Sequence, residues 1–313
     1  MNDRAGGAAS MSAATAVPGG ATTTPARSSD DGSLAGLRHV RYVLAENPIT
    51  AGAFALFGLF MILAIFGPWI APFDPLATNP ERVLQAPSAV HWFGTDQLGR
   101  DILSRVIVAT GLDFGMALAA VLLSFGLGCT LGACAGYYGG WIDRVVSRLA
   151  DTIMAFPLFV LAMAIVAALG NSVENIIYAT AIINLPFYIR VARSEVNVRR
   201  NAGFVEAARL SGNSEARILA FHLFPNILPP VMVQISLNMG WAILNAAGLS
   251  FIGLGVRPPQ PEWGIMVAEG ASYMISGEWW VSFFPGLVLM LAVFCFNLLG
   301  DGLRDMIDPR RRT

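Results

Sequence analysis

The chain contains long stretches without Asp, Glu, Lys or Arg, separated by short segments that carry its charge. A helix that crosses the hydrocarbon core of a membrane needs about 20 mostly apolar residues. Five charge-free stretches reach that length, and the sixth does so if its helix begins near Asn171 with Glu174 at the interface. We therefore predict an all-α membrane protein with six transmembrane helices. The charge-free stretches are 47–73, 114–142, 152–173, 175–189, 223–256 and 279–300.

The same pattern divides the chain into two parts. Residues 1–47 are rich in Ala, Gly, Ser and Thr and show no hydrophobic period. Such a segment cannot bury enough apolar surface to offset the entropy that is lost on ordering, so we expect a flexible cytoplasmic tail. A transmembrane domain should follow at 48–313. Its predicted spans are about 49–70, 114–136, 150–170, 172–190, 228–250 and 281–300, with a loop at 201–226.

The distribution of arginine predicts the orientation of the chain, because all twenty basic residues are arginine. With six spans, both termini lie on the same side of the membrane. Placing them in the cytoplasm puts sixteen arginines inside and four outside, as the positive-inside rule favours. We predict a multi-pass protein of the inner membrane with both termini cytoplasmic. The net charge of −1 gives no reason to expect nucleic-acid binding.

The lack of lysine limits the chemistry that this chain can perform. A P-loop needs a lysine to reach the phosphates of ATP, so this chain cannot hold a standard P-loop; if ATP drives transport, a separate subunit must supply the ATPase. The spans contain no cluster of nucleophile, base or metal ligands. We therefore expect no catalytic residue, no metal and no cofactor in this chain, and a membrane-embedded enzyme is disfavoured.

The loop at 201–226 has the pattern of two short helices joined by a glycine turn. Glu206 to Leu210 are good helix formers, and Gly212 tolerates the positive φ of a turn. Ser214 is a suitable N-cap for a second helix that ends before Pro225. This Arg-bearing element either contacts a partner protein or lies on anionic lipid at the cytoplasmic face.

The fifth predicted span carries polar side chains on one helical face. Spacings of four, three and four residues place them on the same side of a helix. Amide groups in hydrocarbon are costly unless they are paired, so this face must meet protein or water. It either lines a translocation path or forms hydrogen bonds between helices. The residues are Gln234, Asn238, Trp241 and Asn245.

The two longer segments that the orientation places outside, 71–113 and 257–280, are more than simple turns. Both are rich in proline, and the second contains three tryptophans, which suit the headgroup interface. They either receive a protein that delivers substrate or provide ordinary packing at the membrane interface.

Several segments resemble one family of transporters. The motif Glu206-Ala207-Ala208, with the following Gly212, resembles the EAA loop of ABC importer permeases. The segment FGTDQLGRD at 93–101 resembles the C-type subunit of the dipeptide, oligopeptide and nickel branch. One departure is Phe224, where the family usually has leucine. Further similar segments lie at 135–141, 249–255, 297–304 and 308–309.

The resemblance implies the type I permease fold of ABC importers within a complex of several subunits. An extracytoplasmic binding protein would deliver peptide to this chain and to a homologous B-type permease. Two ATPase subunits, which bind ATP and Mg, would dock on the EAA loop and drive alternating access. The branch includes importers of dipeptides, oligopeptides, glutathione-like compounds, opine-like conjugates and nickel chelates. The residues expected to couple to the ATPase are Glu206, Ala207, Ala208, Arg209, Gly212 and Arg217.

An ion-coupled secondary transporter that acts without an ATPase is the alternative function. That class needs an ionisable relay or a cation site near the membrane midplane. The centres of the first, second, fifth and sixth predicted spans contain no such residue. The sequence therefore favours the ATP-driven importer.

Overall fold

The structure, a computed structural model, describes residues 48–307, with the backbone alone for 305–307. The predicted tail at 1–47 lies outside the described residues. Within that range the chain is helical, and an isolated bridge joins Thr95 to Asp101. The helices are α1 (Pro48–Ile70), α2 (Ile102–Tyr138), α3 (Gly140–Met154), α4 (Leu158–Leu169), α5 (Val173–Arg199), α6 (Gly203–Leu210), α7 (Glu215–Phe251), α8 (Trp263–Ala271) and α9 (Trp280–Ile307).

Five of these helices are long and apolar enough to cross a membrane: α1, α2, α5, α7 and α9. Helices α3 and α4 meet the same criterion only as a pair, and they are bent by 89° at the break between them. Over the described residues the chain therefore has five spans, or six if the bent pair counts as one. The predicted all-α membrane fold is confirmed.

The third predicted span, 150–170, is not one straight helix. Helix α3 ends at Met154, and α4 begins only after Pro157. Proline has no N–H to donate, and it disfavours helical conformation in the residue before it. With 12 residues, α4 is about 18 Å long, which is shorter than the hydrocarbon core. Residues 150–154, which the prediction counted as the start of the third span, belong to the amphipathic helix α3.

Two other spans are longer than the charge-free stretches that predicted them. Helix α2 begins at Ile102 instead of 114, because the Asp101 carboxylate caps it by accepting the Ser104 N–H at 2.8 Å. Helix α5 continues to Arg199 instead of ending near 190. In both cases charged side chains lie inside the helix, and the Arg193 guanidinium, for example, pairs with a carboxylate of α3.

Helices α2 and α5 pack closely along a stripe of glycines at four-residue spacing. A Cβ atom on Gly132 would lie 2.4 Å from the carbonyl oxygen of Ile189, and one on Gly136 would lie 2.6 Å from that of Arg193. Both distances are far below van der Waals contact, so only glycine lets the two backbones approach in this way.

A buried cluster of four charges joins the two predicted outside segments. Asp96 Oδ2 accepts a hydrogen bond from Arg100 Nε at 2.6 Å and lies 3.5 Å from Arg105 Nε. Arg100 Nη2 also donates to Glu269 of α8 at 3.3 Å. Both arginines are only 1% exposed. We call Asp96, Arg100, Arg105 and Glu269 the charge cluster; it fixes the 93–101 motif against α8.

Helix α8 is capped by a buried carboxyl group. The two oxygens of Glu262 accept the N–H groups of Gly264 and Ile265 at 2.9 and 2.7 Å. Asp113 of α2 accepts the N–H of Trp263 in the same turn at 3.1 Å. Burial raises the pKa of the Glu262 carboxyl, because a buried group loses the hydration of its charged form.

This raised pKa predicts the behaviour of a Glu262→Gln variant. A folded-state pKa above the unfolded value means that wild-type Glu262 contributes stability below the unfolded pKa and loses it as the pH rises through the folded pKa. Glutamine keeps one oxygen for the cap and does not titrate. In thermal melts in detergent between about pH 5 and 8, we expect the stability advantage of wild type over this variant to shrink as the pH increases. An advantage that grows with pH would contradict the prediction.

Candidate functional site

Residues 203–217 form a helical elbow at the end of the bundle where α2 ends. Helix α6 ends at Leu210, and the chain turns through Gly212, whose φ of +78° favours glycine. Helix α7 then begins at Glu215, and the Ser214 hydroxyl caps its first turn. We call residues 203–217 the elbow.

One face of the elbow packs on the bundle and the other is exposed. The buried face, continued into the first turns of α7, consists of Val205, Ala208, Ile218 and Leu223. The exposed face consists of Phe204, Glu206, Ala207, Leu210, Arg217 and Phe221. Leu210 is 89% exposed despite its apolar side chain. Large apolar side chains beside charged ones on a surface are typical of a protein interface.

A hydrogen-bonded group ties the elbow to the end of α2. The Tyr137 hydroxyl donates to the Glu215 carboxylate. Arg209 donates from Nη2 to the Tyr137 oxygen and from Nε to Glu215 Oε1, both at 3.3 Å. Arg200, just after α5, donates to the carbonyl of Gly136 at 3.2 Å. These hydrogen bonds connect the elbow to the end of α2, and the end of α2 to the end of α5.

Two of the residues expected to couple to a partner contact the chain itself. Ala208 is buried in the core, so its small side chain allows α6 to approach the bundle. Arg209 is held by Glu215 and Tyr137, and about half of its side chain remains exposed. The exposed members of the expected set are Glu206, Ala207, Arg209, Gly212 and Arg217, so of the six only Ala208 is buried.

The second helix of the elbow does not end before Pro225, so that expectation was wrong. It continues through a π-helical segment, Ile218–Leu223, and runs on to Phe251 as α7. Proline has no N–H to donate, and a π-helical turn shifts the hydrogen-bond register just before it. The last three residues of the elbow, 215–217, and the fifth predicted span are consequently parts of one helix.

The four polar residues expected on one face of the fifth span line a cavity of about 290 Å³. Gln234 Nε2 donates to Asn238 Oδ1 at 3.0 Å, and Asn245 Nδ2 donates to the Trp241 carbonyl at 2.8 Å. Asn238 and Asn245 are buried, whereas Trp241 is 60% exposed. The face thus satisfies part of its hydrogen bonding within α7 and presents the rest to the cavity.

Sequence reasoning missed the residues that face α7 across this cavity. They are Phe159 of α4, Asn184 and Phe187 of α5, and Asn297 of α9. The two asparagines lie inside predicted spans, so the cost of a buried amide could have identified them. The two phenylalanines carry no such signal, because phenylalanine in a span is equally expected against lipid.

Two family models match the sequence. Residues 128–313 match the model described as the binding-protein-dependent transport system inner membrane component. Residues 37–87 match the N-terminal TM domain of oligopeptide transport permease C. The longer match includes both the elbow and the cavity-lining face of α7.

Known proteins are similar over most of the chain. The dipeptide transport system permease protein DppC of Alkalihalophilus pseudofirmus is 43% identical over 270 residues, covering 86% of this chain and 88% of that protein. The probable D,D-dipeptide transport system permease protein DdpC of Escherichia coli is 42% identical over 269 residues, 86% of this chain and 90% of that protein. The glutathione transport system permease protein GsiD of Pectobacterium atrosepticum is 39% identical over 276 residues, with coverages of 87% and 90%.

A solved structure shares the fold. A chain of the MetNI methionine ABC transporter, in inward-facing conformations, matches with a TM-score of 0.52. The match covers 64% of this chain and 96% of that chain at 17% sequence identity. At this identity the likeness shows a common fold and nothing of the substrate.

Proposed function

Because the chain belongs to the family of binding-protein-dependent transport system inner membrane components, we propose that it is the C-type permease subunit of an ATP-driven importer of short peptides. The resemblance that was drawn from the EAA loop and the 93–101 motif is confirmed by this family. The similar proteins are named as permeases for dipeptide, D,D-dipeptide and glutathione. Each of these is a short peptide, so the proposed substrate is a short peptide or a close derivative.

The family also argues against the alternative function, an ion-coupled secondary transporter. Its members are inner-membrane components of transport systems that use a binding protein, which fits an ABC importer and not a secondary transporter that acts alone. The chain is a multi-pass inner-membrane protein, and its family is a transport family without enzymatic activity of its own. ATP and Mg belong, in this proposal, to two partner ATPase subunits.

The observation that carries the proposal is the exposed face of the elbow. Leu210 is 89% exposed, the exposed Glu206 lies one turn before it on α6, and the exposed Arg217 adds a positive charge on the next helix of the elbow. An apolar anchor that is surrounded by charged groups is the usual centre of a protein interface. We assign this face to the ATPase, and the group around Tyr137 transmits its movement to the spans.

The positions of the other partners follow from the orientation. The count made from the predicted spans, sixteen arginines in the segments on the termini's side against four on the other, supports a cytoplasmic elbow and cytoplasmic termini. The end that contains α8 and the charge cluster then faces outside, where the binding protein delivers peptide. A homologous B-type permease completes the path beside α7, and membrane lipid surrounds the pair.

The Leu210→Asp variant is expected to lose the ATPase without losing its fold. A central apolar anchor contributes about 2 kcal/mol or more to binding, so the affinity should fall about 30-fold. The stability of the membrane domain should change by less than about 0.5 kcal/mol, because Leu210 is 89% exposed. Co-purification of ATPase subunits, together with ATP-dependent peptide uptake in cells, measures the effect.

The matched control for this experiment is Leu98→Asp, at an exposed leucine near the opposite end of the bundle. It should retain the ATPase. Glu206→Arg, which reverses an exposed charge of the elbow, should reduce uptake as Leu210→Asp does. Normal ATPase retention in both elbow variants would refute the proposed docking face.

A further inference from the structure

Helix α3 carries an apolar stripe that the rest of the described chain leaves uncovered. Trp141, Val145 and Leu149 follow one another at four-residue spacing, so they lie on the same side of the helix. All three are exposed, and Trp141 is 68% exposed. Helix α3 does not qualify as a membrane span by itself, so the lipid that surrounds a span does not account for this stripe.

The stripe lies beside the face of α3 that packs on the bundle. Val146 and Ala150 are buried against Ala135 of α2 and Ile189 of α5. Because each residue turns an α-helix by about 100°, the exposed stripe borders this packed face directly. Helix α3 therefore has one continuous apolar side, of which the protein covers one part and leaves the other part open.

Two ion pairs show that α3 crosses the end of α5. Arg193 Nη2 lies 2.8 Å from Asp143 Oδ2 near the start of α3, and Arg190 Nη2 lies 2.9 Å from Asp151 Oδ1 near its end. The two aspartates are about 12 Å apart along α3, whereas the two arginines are only about 4.5 Å apart along α5. Helix α3 is also bent by 89° from α4, and it begins just after α2 ends at Tyr138. It therefore lies close to the plane of the membrane surface, at the depth where α2 leaves the hydrocarbon.

The charges of α3 leave two arginines over. Its two aspartates are paired with the arginines of α5. Arg144 and Arg148 are exposed, and neither forms an ion pair with another residue in the described part of the chain. They are neighbours on successive turns and border the apolar stripe on the side away from the bundle. A molecule that covers this part of α3 must therefore combine a negative charge with an apolar surface.

An anionic phospholipid has both properties. Two neighbouring arginines bind its phosphate through charge-assisted hydrogen bonds, and its acyl chains supply the apolar surface. A helix with an aromatic and aliphatic side, arginines at the border of its polar side and an orientation in the membrane plane is typical of an interfacial helix. Trp141 in the first turn suits the headgroup region, where tryptophan is enriched.

We propose that α3 is a binding site for an anionic phospholipid, whose phosphate lies between Arg144 and Arg148 and whose acyl chains cover Trp141, Val145 and Leu149. This inference goes beyond the proposed function and does not depend on the transported substrate. Helix α3 packs on the ends of α2 and α5, which are linked to each other and to the elbow. The lipid thus holds α3 in place beside the attachment of the elbow.

The test measures the lipid that the complete complex binds. The complex in detergent is incubated with equal amounts of phosphatidylglycerol and phosphatidylcholine of the same acyl chains, and the retained lipids are counted by native mass spectrometry. Wild type should retain phosphatidylglycerol in preference. In a second measurement, the complex in nanodiscs receives brominated phosphatidylglycerol, which quenches tryptophan fluorescence on contact. The difference between wild type and Trp141→Phe isolates the quenching of Trp141.

A double variant removes the charges that hold the phosphate. Arg144→Gln combined with Arg148→Gln should lower the affinity for phosphatidylglycerol about 30-fold, or about fivefold for each arginine, and leave the retention of phosphatidylcholine unchanged. The quenching of Trp141 by the brominated lipid should fall with it. The matched control is Arg257→Gln combined with Arg304→Gln, which removes two exposed arginines outside α3. It should match wild type in both measurements.

Several outcomes would overturn the proposal. Equal retention of the two lipids by wild type would do so, as would full phosphatidylglycerol retention or full Trp141 quenching in the α3 double variant. An equal loss in the control double variant would show a general attraction of charges and no site on α3. If the α3 double variant keeps the lipid but loses an accompanying subunit, the stripe is a protein interface. None of these outcomes touches the importer function, which peptide uptake tests separately.

Discussion

The Gly132→Val variant is expected to lower the melting temperature of the membrane domain by roughly 6–12 °C. A Cβ atom at this position would lie 2.4 Å from the Ile189 carbonyl oxygen, so α2 and α5 must move apart to accommodate a side chain. Overpacking of this kind costs about 3 kcal/mol or more when the obstructing atom belongs to the backbone. Thermal melting of the purified protein in detergent measures the loss.

Gly126→Val is the matched control for Gly132→Val, because both replace a glycine of α2. Gly126 is exposed, and a Cβ atom at this position would meet no other atom within 4 Å. Valine there should change the melting temperature by about 2 °C or less, as surface substitutions do. Equal losses in the two variants would show that the effect comes from valine in a helix and not from close packing.

The Asp96→Asn variant is expected to destabilise the protein by about 3–5 kcal/mol, the usual cost of breaking a buried ion pair. Asp96 Oδ2 lies 2.6 Å from Arg100 Nε and 3.5 Å from Arg105 Nε. When Asp96 loses its negative charge, Glu269 is the one carboxylate left beside the guanidinium groups of Arg100 and Arg105 among the described residues. We expect poor accumulation in the membrane and rapid proteolysis of the segment between α1 and α2, measured by limited digestion of membrane vesicles.

Two further variants test this interpretation of Asp96. Asp74→Asn changes an exposed aspartate of the same segment whose carboxylate accepts the Leu76 N–H, and it should behave like wild type. Adding Arg105→Met to Asp96→Asn removes one of the unpaired charges and should recover part of the stability. A double variant that is less stable than Asp96→Asn alone would contradict a charge imbalance as the cause.

The apolar pattern located some spans well and others poorly, for a physical reason. The first predicted span, 49–70, differs from α1 only by one residue at its start. Its end was predicted correctly because a proline-rich segment follows α1 at once. The second began twelve residues late, because Arg105 pairs with Asp96 and Glu269 and Asp113 accepts the Trp263 N–H inside the protein, so neither residue ends the helix. The length of a charge-free stretch therefore indicates only the part of a helix that faces lipid. A helix whose charged side chains have partners inside the protein is longer than its charge-free stretch.

The candidate site was predictable at residues whose polar side chains would raise the free energy of a membrane span if they were left unpaired. Amides in a span must find partners, and this argument placed Asn238 and Asn245 on a common face, which the structure shows to line the cavity. The inward and outward faces of the elbow were not predictable in the same way. Ala207 and Ala208 are chemically identical, and only the docking of α6 on the first turns of α7 decides that Ala208 is buried.

The continuity of α7 from the elbow to Phe251 gives the helix a mechanical property. Its 37 residues form a lever about 55 Å long, since no break separates Arg217 from the cavity. A tilt of about 5° about its inner end moves the outer end by roughly 5 Å over that length. Under the proposed function, a small stroke of the ATPase at one membrane face would be amplified by this length into a larger movement at the other face, and the π-helical segment Ile218–Leu223 is where the helical hydrogen-bond register changes.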